Sequence, residues 1–443
     1  KIRLKEETPD TVTVNINLKI NTIDTGLKDA SFKYTLVSGN TIIKEGNFSS
    51  ATNNSTITLA TLTNTSTTNK LTTTTSTYNL YIWIDGTMDN PSTMMNKSFD
   101  FSLDITGTNS SMERLIPTAV EVVEGLNDNS SGDSGSGVYK VSHDAIAGSN
   151  SATGSEIPAV TDYRYYGPNP NNYVCLDMEG KSTCPDKHLY RIIGSIYEEK
   201  ENTNRLKVIK ARPLTDGTTS VFSWDYKENN GNYDYDNIWA TVTSGNYSNS
   251  LTSGSELMKL LNSGAWWNGT SGIYYNERTK ATNVNFTYYK LSDKAKSYIS
   301  TSRYYLGGHN SNTPLTNEMY GYERGTLRYN TDRPLYWEGM VGLMYPSDYG
   351  YAAGNSCVNG TNLYYYDGGC MNKDWLYNSY TFQWLMSPSS SVSDVVFDVL
   401  SSGAVRKINF IYFTRSVHPV FYLSSSTTIT GGEGTSAAPY ILS

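Results

Sequence analysis

Charge is what this chain has least of. Only 17% of its 443 residues are Asp, Glu, Lys or Arg, and the formal net charge is −7. Binding a phosphate backbone requires a concentration of Lys and Arg, and its lack argues against nucleic acid as a partner. No stretch approaches the roughly 18–20 apolar residues of a spanning helix, so no membrane span is expected. Catalytic signatures are missing as well. There is no Gly-x-Ser-x-Gly and no His-Glu-x-x-His, and the four histidines (His143, His188, His309, His418) are scattered. Ser142-His143-Asp144 is adjacent in sequence, whereas a relay is assembled across a fold. Glu277, Glu323 and Glu338 lie near aromatics, but Glu277-Arg278 and Glu323-Arg324 read as local ion pairs. The carboxylate separation of a glycosidase is spatial and has no sequence spacing. The expectation is a protein that is not an enzyme.

Thr, Ser, Asn, Gly and 36 tyrosines take the place of charge. Thr and Tyr favour strands, and few segments carry a helical period, so the expected fold class is mainly β. A Tyr-rich, Lys-poor surface suits carbohydrate or adhesive protein contact; tyrosines capping strand faces are the alternative. The four cysteines fall into local pairs, Cys175/Cys184 and Cys357/Cys370. Neither pair has Cys-x-x-Cys spacing, so two disulfides are expected rather than a zinc site.

Three segments follow from the composition. Residues 1–105 carry alternating strands such as Thr11–Ile20, Ser31–Val37 and Tyr78–Ile84, a β-sandwich or jelly roll. Residues 106–160, with Asn127–Gly137 almost devoid of apolar side chains, read as a linker or long surface loop. Residues 161–443 hold seven of the eight tryptophans, several short strands, and helical patterns at 256–262 and 290–299 capped by Ser292, an α+β domain. The start at Lys1 reads as a mature or trimmed end.

The segment Tyr78-Asn-Leu-Tyr-Ile-Trp-Ile-Asp85, its Asp/Asn-rich loop and Lys97-Ser-Phe-Asp-Phe-Ser-Leu103 resemble the TasA/camelysin type of secreted fibre subunit of Gram-positive bacteria. That resemblance implies a jelly-roll domain and polymerisation through an N-terminal strand inserted into a neighbour. Residues 1–9, with Ile2 and Leu4 as apolar anchors and Pro9 closing the segment, are the expected donor. The partner would be a second copy of the chain. In the second half, Asp162–Val174, Leu189–Gly194, Trp337–Gly350, Trp384-Leu-Met-Ser-Pro388 and Val417-His-Pro-Val420 resemble a domain of unknown function in surface proteins of gut Firmicutes and Mollicutes. The order of the last motifs is similar to a C-type-lectin-like fold. Together these imply an extracellular or cell-surface location.

Trp266, Trp267, Tyr274, Tyr275 and the disulfide-loop residue Tyr365 are the candidate contacts for a glycan or a host or matrix protein. Core packing is the competing use of the first four. Asp225–Asp236 and Asp85–Asn90 are oxygen-rich, so a weak extracellular calcium site or a solvated turn is open at each. No other cofactor is expected.

Overall fold

The computed structural model describes residues 12–64, 77–86, 91–107, 117–127, 132–226, 228–229, 232–233, 237–240, 254–277, 280–331, 333–379 and 381–443. The chain divides into two compact units, Lys1–Leu115 and Ile116–Ser443. Both are built mainly from antiparallel β-structure.

The first unit contains β1 (Val12–Ile23), β2 (Phe32–Ser38), β3 (Thr41–Asn47), β4 (Ser55–Asn64), β5 (Asn79–Ile84) and β6 (Phe99–Gly107). They form two three-stranded sheets, ordered β4-β1-β6 and β3-β2-β5. The period-two pattern read from sequence sets the packing. Ile16, Leu18 and Ile20 of β1 and Phe32, Tyr34 and Leu36 of β2 point into one shared core. Phe48 packs at a tilt against Phe32 and Phe99 there, with centroids 4.6 and 4.9 Å apart. On the other face of β1, Asn17 bridges both neighbouring strands: its amide donates to Thr106 Oγ1 and its Oδ1 accepts from Thr58 Oγ1, each at 3.0 Å. The result is a sandwich of six strands among the described residues, two fewer than the eight of a jelly roll.

The second unit starts well before residue 161. Helix α1 (Ala119–Gly125) carries a reciprocal capping box, with Thr118 and Glu121 each bonding the other's backbone. Strand β7 (Gly137–His143) pairs along its whole length with β8 (Val160–Tyr166). The reading of 106–160 as a linker is therefore corrected for residues 117–127 and 132–160. Ala119, Val123 and Val138 are buried in the second unit's core, and that burial outweighs the Gly/Ser-rich composition around them.

Strand β8 joins β10 (Leu189–Glu198), which also pairs with β9 (Tyr173–Cys175) and β11 (Thr203–Lys210). Strands Val420–Tyr422, Tyr440–Leu442 and Ile429–Gly431 complete an eight-stranded sheet. Short helices are added to it. Glu256–Asn262 is capped by Ser255 and Asp293–Ser297 by Ser292, whose hydroxyls accept from Met258 N and Ala295 N. The tryptophans make an edge-to-face chain in the core: Trp239 lies 5.0 Å from Trp224 and 6.3 Å from Trp337, and Trp224 lies 6.2 Å from Trp384.

Both expected disulfides are formed, Cys175–Cys184 and Cys357–Cys370, each with a Cα–Cα distance of 5.8 Å. Such bonds persist in oxidising compartments. No helix among the described residues is long and apolar enough to cross a membrane.

Candidate functional site

The feature of the first unit that stands apart from ordinary packing is an open side of its sandwich. Strands β3 and β4 approach each other on one side, where β3 itself is exposed along most of its length, including Ile42 and Ile43. Strands β5 and β6, the outer strands at the opposite side, pair only with β2 and β1 among the described strands. The register of β5 places Leu80, Ile82 and Ile84 opposite Leu36, Tyr34 and Phe32, on the core side. The register of β6 places Phe101, Leu103 and Ile105 opposite Ile20, Leu18 and Ile16. Core-facing residues should be covered, yet Ile84 is 46% exposed, Phe101 41% and Leu103 45%. The two edges thus offer an apolar seam flanked by backbone groups without a strand partner among the described residues, the arrangement to which an added extended segment can pair. Ile2 and Leu4, the expected donor anchors, lie outside the described residues.

The second unit separates the residues proposed as ligand contacts. Trp266, on the one-turn helix Ala265–Asn268, is buried in the core, as is Tyr274, whose hydroxyl donates to Ser223 O at 2.6 Å. These two cannot present a ring to a ligand, which corrects their assignment. Trp267 packs against the same core, and Lys296 Nζ lies 4.9 Å from its ring centroid. Tyr275 and Tyr365 are exposed. Alternation along the hairpin strand Ser271–Asn276 explains why Tyr274 and Tyr275 part company.

A surface that includes the end of segment 395–413, which sequence reasoning marked as a candidate lectin-like surface without naming contact residues, lies near Tyr275. Phe410 stacks on Tyr412 at 5.3 Å with nearly parallel planes, and Phe413 lies 4.9 Å from Tyr412. Arg415 sits 4.7 Å from the Phe382 ring and 5.5 Å from Phe413. Phe382, Phe410 and Phe413 are all exposed. Ser223 ties this surface to the hairpin, its Oγ donating to Tyr412 O and its N–H to Asn276 Oδ1. The signal available in sequence was Phe410-Ile-Tyr-Phe413, four large apolar residues inside a turn-rich segment.

The ionisable groups form a packed structural network. Asp162 accepts from Arg164 at 2.8 Å and lies 2.9 Å from His143 Nε2. Arg164 also reaches Asp348, which pairs in turn with Lys207. All five are buried. Burial alone would raise the Asp162 carboxyl, but Arg164 and His143 outweigh it and hold it well below the usual carboxylate range. His143 therefore serves Asp162 and stacks on Tyr320 at 3.7 Å. Its sequence neighbours Ser142 and Asp144 have no part in the pairing. Glu323 accepts from Ser347 and Arg324, and burial pushes its carboxyl up to about 7. Glu338 pairs with Arg303, and Glu277 with Lys280.

Among the described residues no group of three or more His, Cys, Asp or Glu is placed to hold a metal. Asp225, at the head of one oxygen-rich segment, is buried and accepts from Glu256 N at 2.9 Å. Much of that segment and of Asp85–Asn90 lies outside the described residues.

Comparison with protein-family models, with curated proteins and with solved structures finds no match to this chain.

Proposed function

We propose that this chain is a subunit of an extracellular bacterial filament or surface fibre. Residues 1–9 of one copy enter the seam between β5 and β6 of the next, and the second unit is displayed along the polymer. The open seam is the observation that carries this reading. Covering three half-exposed side chains, Ile84, Phe101 and Leu103, is worth about 3 kcal/mol in all, with strand hydrogen bonds added along either edge. In the donor, Ile2 and Leu4 alternate with charged residues, so one face is apolar and matches a groove whose anchors also recur every second residue. The two disulfides suit an oxidising, extracellular setting.

Negative-stain electron microscopy and sedimentation of the full chain and of a form lacking residues 1–9 test the proposal. Fibres lost on truncation are the expected result, and equal polymerisation of both forms would contradict it. A second reading, a monomeric adhesin or lectin-like binder of glycan or protein, is favoured by the exposed aromatic surface of Phe382, Phe410 and Phe413. It requires monodisperse particles in both samples.

A further inference from the structure

A groove of about 970 Å³ lies in the second unit, between the turn around Asp216 and the hairpin formed by Ser271–Asn276 and Lys280–Asn285. Alternation divides that hairpin into two faces. Tyr274 and Val284 point inward and are buried in the core. The register sets Ser271 opposite Asn285 and Ile273 opposite Asn283, and all four are exposed. These four share the outer face, so their side chains line the groove together. Tyr288 and Tyr289, just beyond the second strand, add two rings to the wall.

The walls are tied to one another. Asp216 Oδ1 accepts from Thr218 N and Thr219 N at 2.9 and 2.6 Å, and its Oδ2 accepts from Asn285 N at 2.9 Å, which joins the turn to the hairpin. Asn285 Oδ1 in turn accepts from Thr287 N and Thr287 Oγ1 at 3.1 and 2.7 Å. Gly217 has a φ of +91°, and a Cβ there would come within 2.6 Å of the Tyr289 hydroxyl. Glycine thus lets the turn lie against that ring. Tyr289 packs on the core, and Tyr288 meets it edge-on at 5.1 Å while remaining 65% exposed. A groove braced in this way is pre-formed, as ligand sites usually are.

The wall chemistry narrows the class of ligand. Thr218, Ser271 and Asn283 are exposed along it, and hydroxyl and amide groups both donate and accept hydrogen bonds. Ile273, 60% exposed, and the Tyr288 ring supply apolar surface beside them. No Lys or Arg stands among the described residues of the wall. Lys187 Nζ reaches the Tyr288 ring at 5.2 Å but is paired with Glu179 at 2.7 Å. An anionic ligand calls for an available cation, whereas the one charged side chain on this wall is the Asp216 carboxylate. A neutral sugar fits all of these features. Its hydroxyls donate and accept, and its C–H faces lie on aromatic rings. The volume is at the upper end for ligand sites and the groove is open on one side, which suits several linked rings better than one.

We propose that this groove binds a neutral oligosaccharide, with a sugar ring stacked on Tyr288 and hydroxyls recognised by Thr218, Ser271 and Asn283. This deepens the second reading above by giving a glycan a site of its own, apart from the surface of Phe410 and Phe413.

Isothermal titration of the full chain with cellotetraose, maltotetraose and N-acetylchitotetraose, against glucose, N-acetylglucosamine and tetragalacturonate, tests this. Saturable binding of at least one neutral tetrasaccharide is expected, at least ten-fold tighter than its monosaccharide and than the charged tetramer. Tyr288→Ala and Asn283→Ala, both at exposed positions, should each weaken that binding at least five-fold with thermal unfolding unchanged. Three results would overturn the proposal: no saturable binding of any neutral tetrasaccharide, equal or tighter binding of tetragalacturonate, or parental affinity in both variants. Parental affinity in both, with binding abolished by Phe410→Ser and Phe413→Ser together, would keep the glycan-binding reading and move its site to the other aromatic surface. Fibre formation is read separately by microscopy, so failure here leaves the filament reading to its own test.

Discussion

The two units bury their apolar surface in opposite ways. The second closes its core, with five tryptophans almost wholly buried, a buried network of carboxylates and cations, and two disulfides tethering local loops. The first, among its described residues, leaves its core open along one side, where Ile84, Phe101 and Leu103 face the interior yet remain half-exposed. Uncovered apolar surface of this kind marks an interaction site in a stable protein. On the proposed reading the difference divides the labour: the second unit covers its own core, and the first would be completed by an added segment.

That contrast can be broken at several points. The largest effect is expected from Asp348→Ala, which leaves Arg164 and Lys207 buried without their shared partner. Removing one member of such a pair costs about 3–5 kcal/mol. In scanning calorimetry the transition of the second unit should fall and that of the first should hold. A shift confined to the first unit would show that the network has been assigned the wrong role. Replacing Cys357 and Cys370 together by serine should cost about 2–3 kcal/mol through the loop it opens, again in the second unit alone.

A subtler probe is Asp225→Asn. Burial, followed by the nearby Glu256, raises the Asp225 carboxyl to about 7. The ordinary unfolded value is about 4, so the folded state holds this proton more tightly. Its contribution to stability is fully present below pH 4 and is lost as pH rises to about 7. The asparagine variant keeps an Oδ1 acceptor for Glu256 N and carries no charge. Its Tm should gain on the parent by several degrees between pH 4 and 7, then level off. A constant offset across that range would contradict the buried-acid assignment.

Smaller stability effects are expected on the open side. Leu103→Lys should change the stability of the isolated subunit by less than about 1 kcal/mol, because the side chain is already half in water, while abolishing assembly in sedimentation. Phe410→Ser with Phe413→Ser should leave Tm almost unchanged, within about 0.5 kcal/mol, and leave fibres intact. Loss of fibres in that variant would move the assembly surface to the second unit.

The strands of the first unit were legible because each alternates over a half-buried sheet, as in Thr11–Ile20, and the disulfide partners because their spacing is local. Glu256–Asn262 and the Ser292 cap were legible for similar reasons, the first from its apolar spacing and the second from cap chemistry. Residues 119–143 were not. Helix α1 is only seven residues long, and β7 is surrounded by Gly and Ser, so long-range pairing with β8 decides its state. Burial of Trp266 and Tyr274 depended on which side of a short helix and a hairpin faces the core, a tertiary fact. The seam was equally hidden. Phe101 and Leu103 alternate as core residues do, and no strand among the described residues covers them.

The most direct test of the division is a cross-link between copies. Protein carrying Leu4→Cys is mixed with protein carrying Leu103→Cys under mild oxidation, and mixed dimers are scored by mass. The strand-exchange reading predicts efficient mixed dimers well above either variant alone, and their loss when Phe101→Asp is added to the acceptor. Mixed dimers no more frequent than those of each variant by itself would mean that residues 1–9 do not occupy the seam.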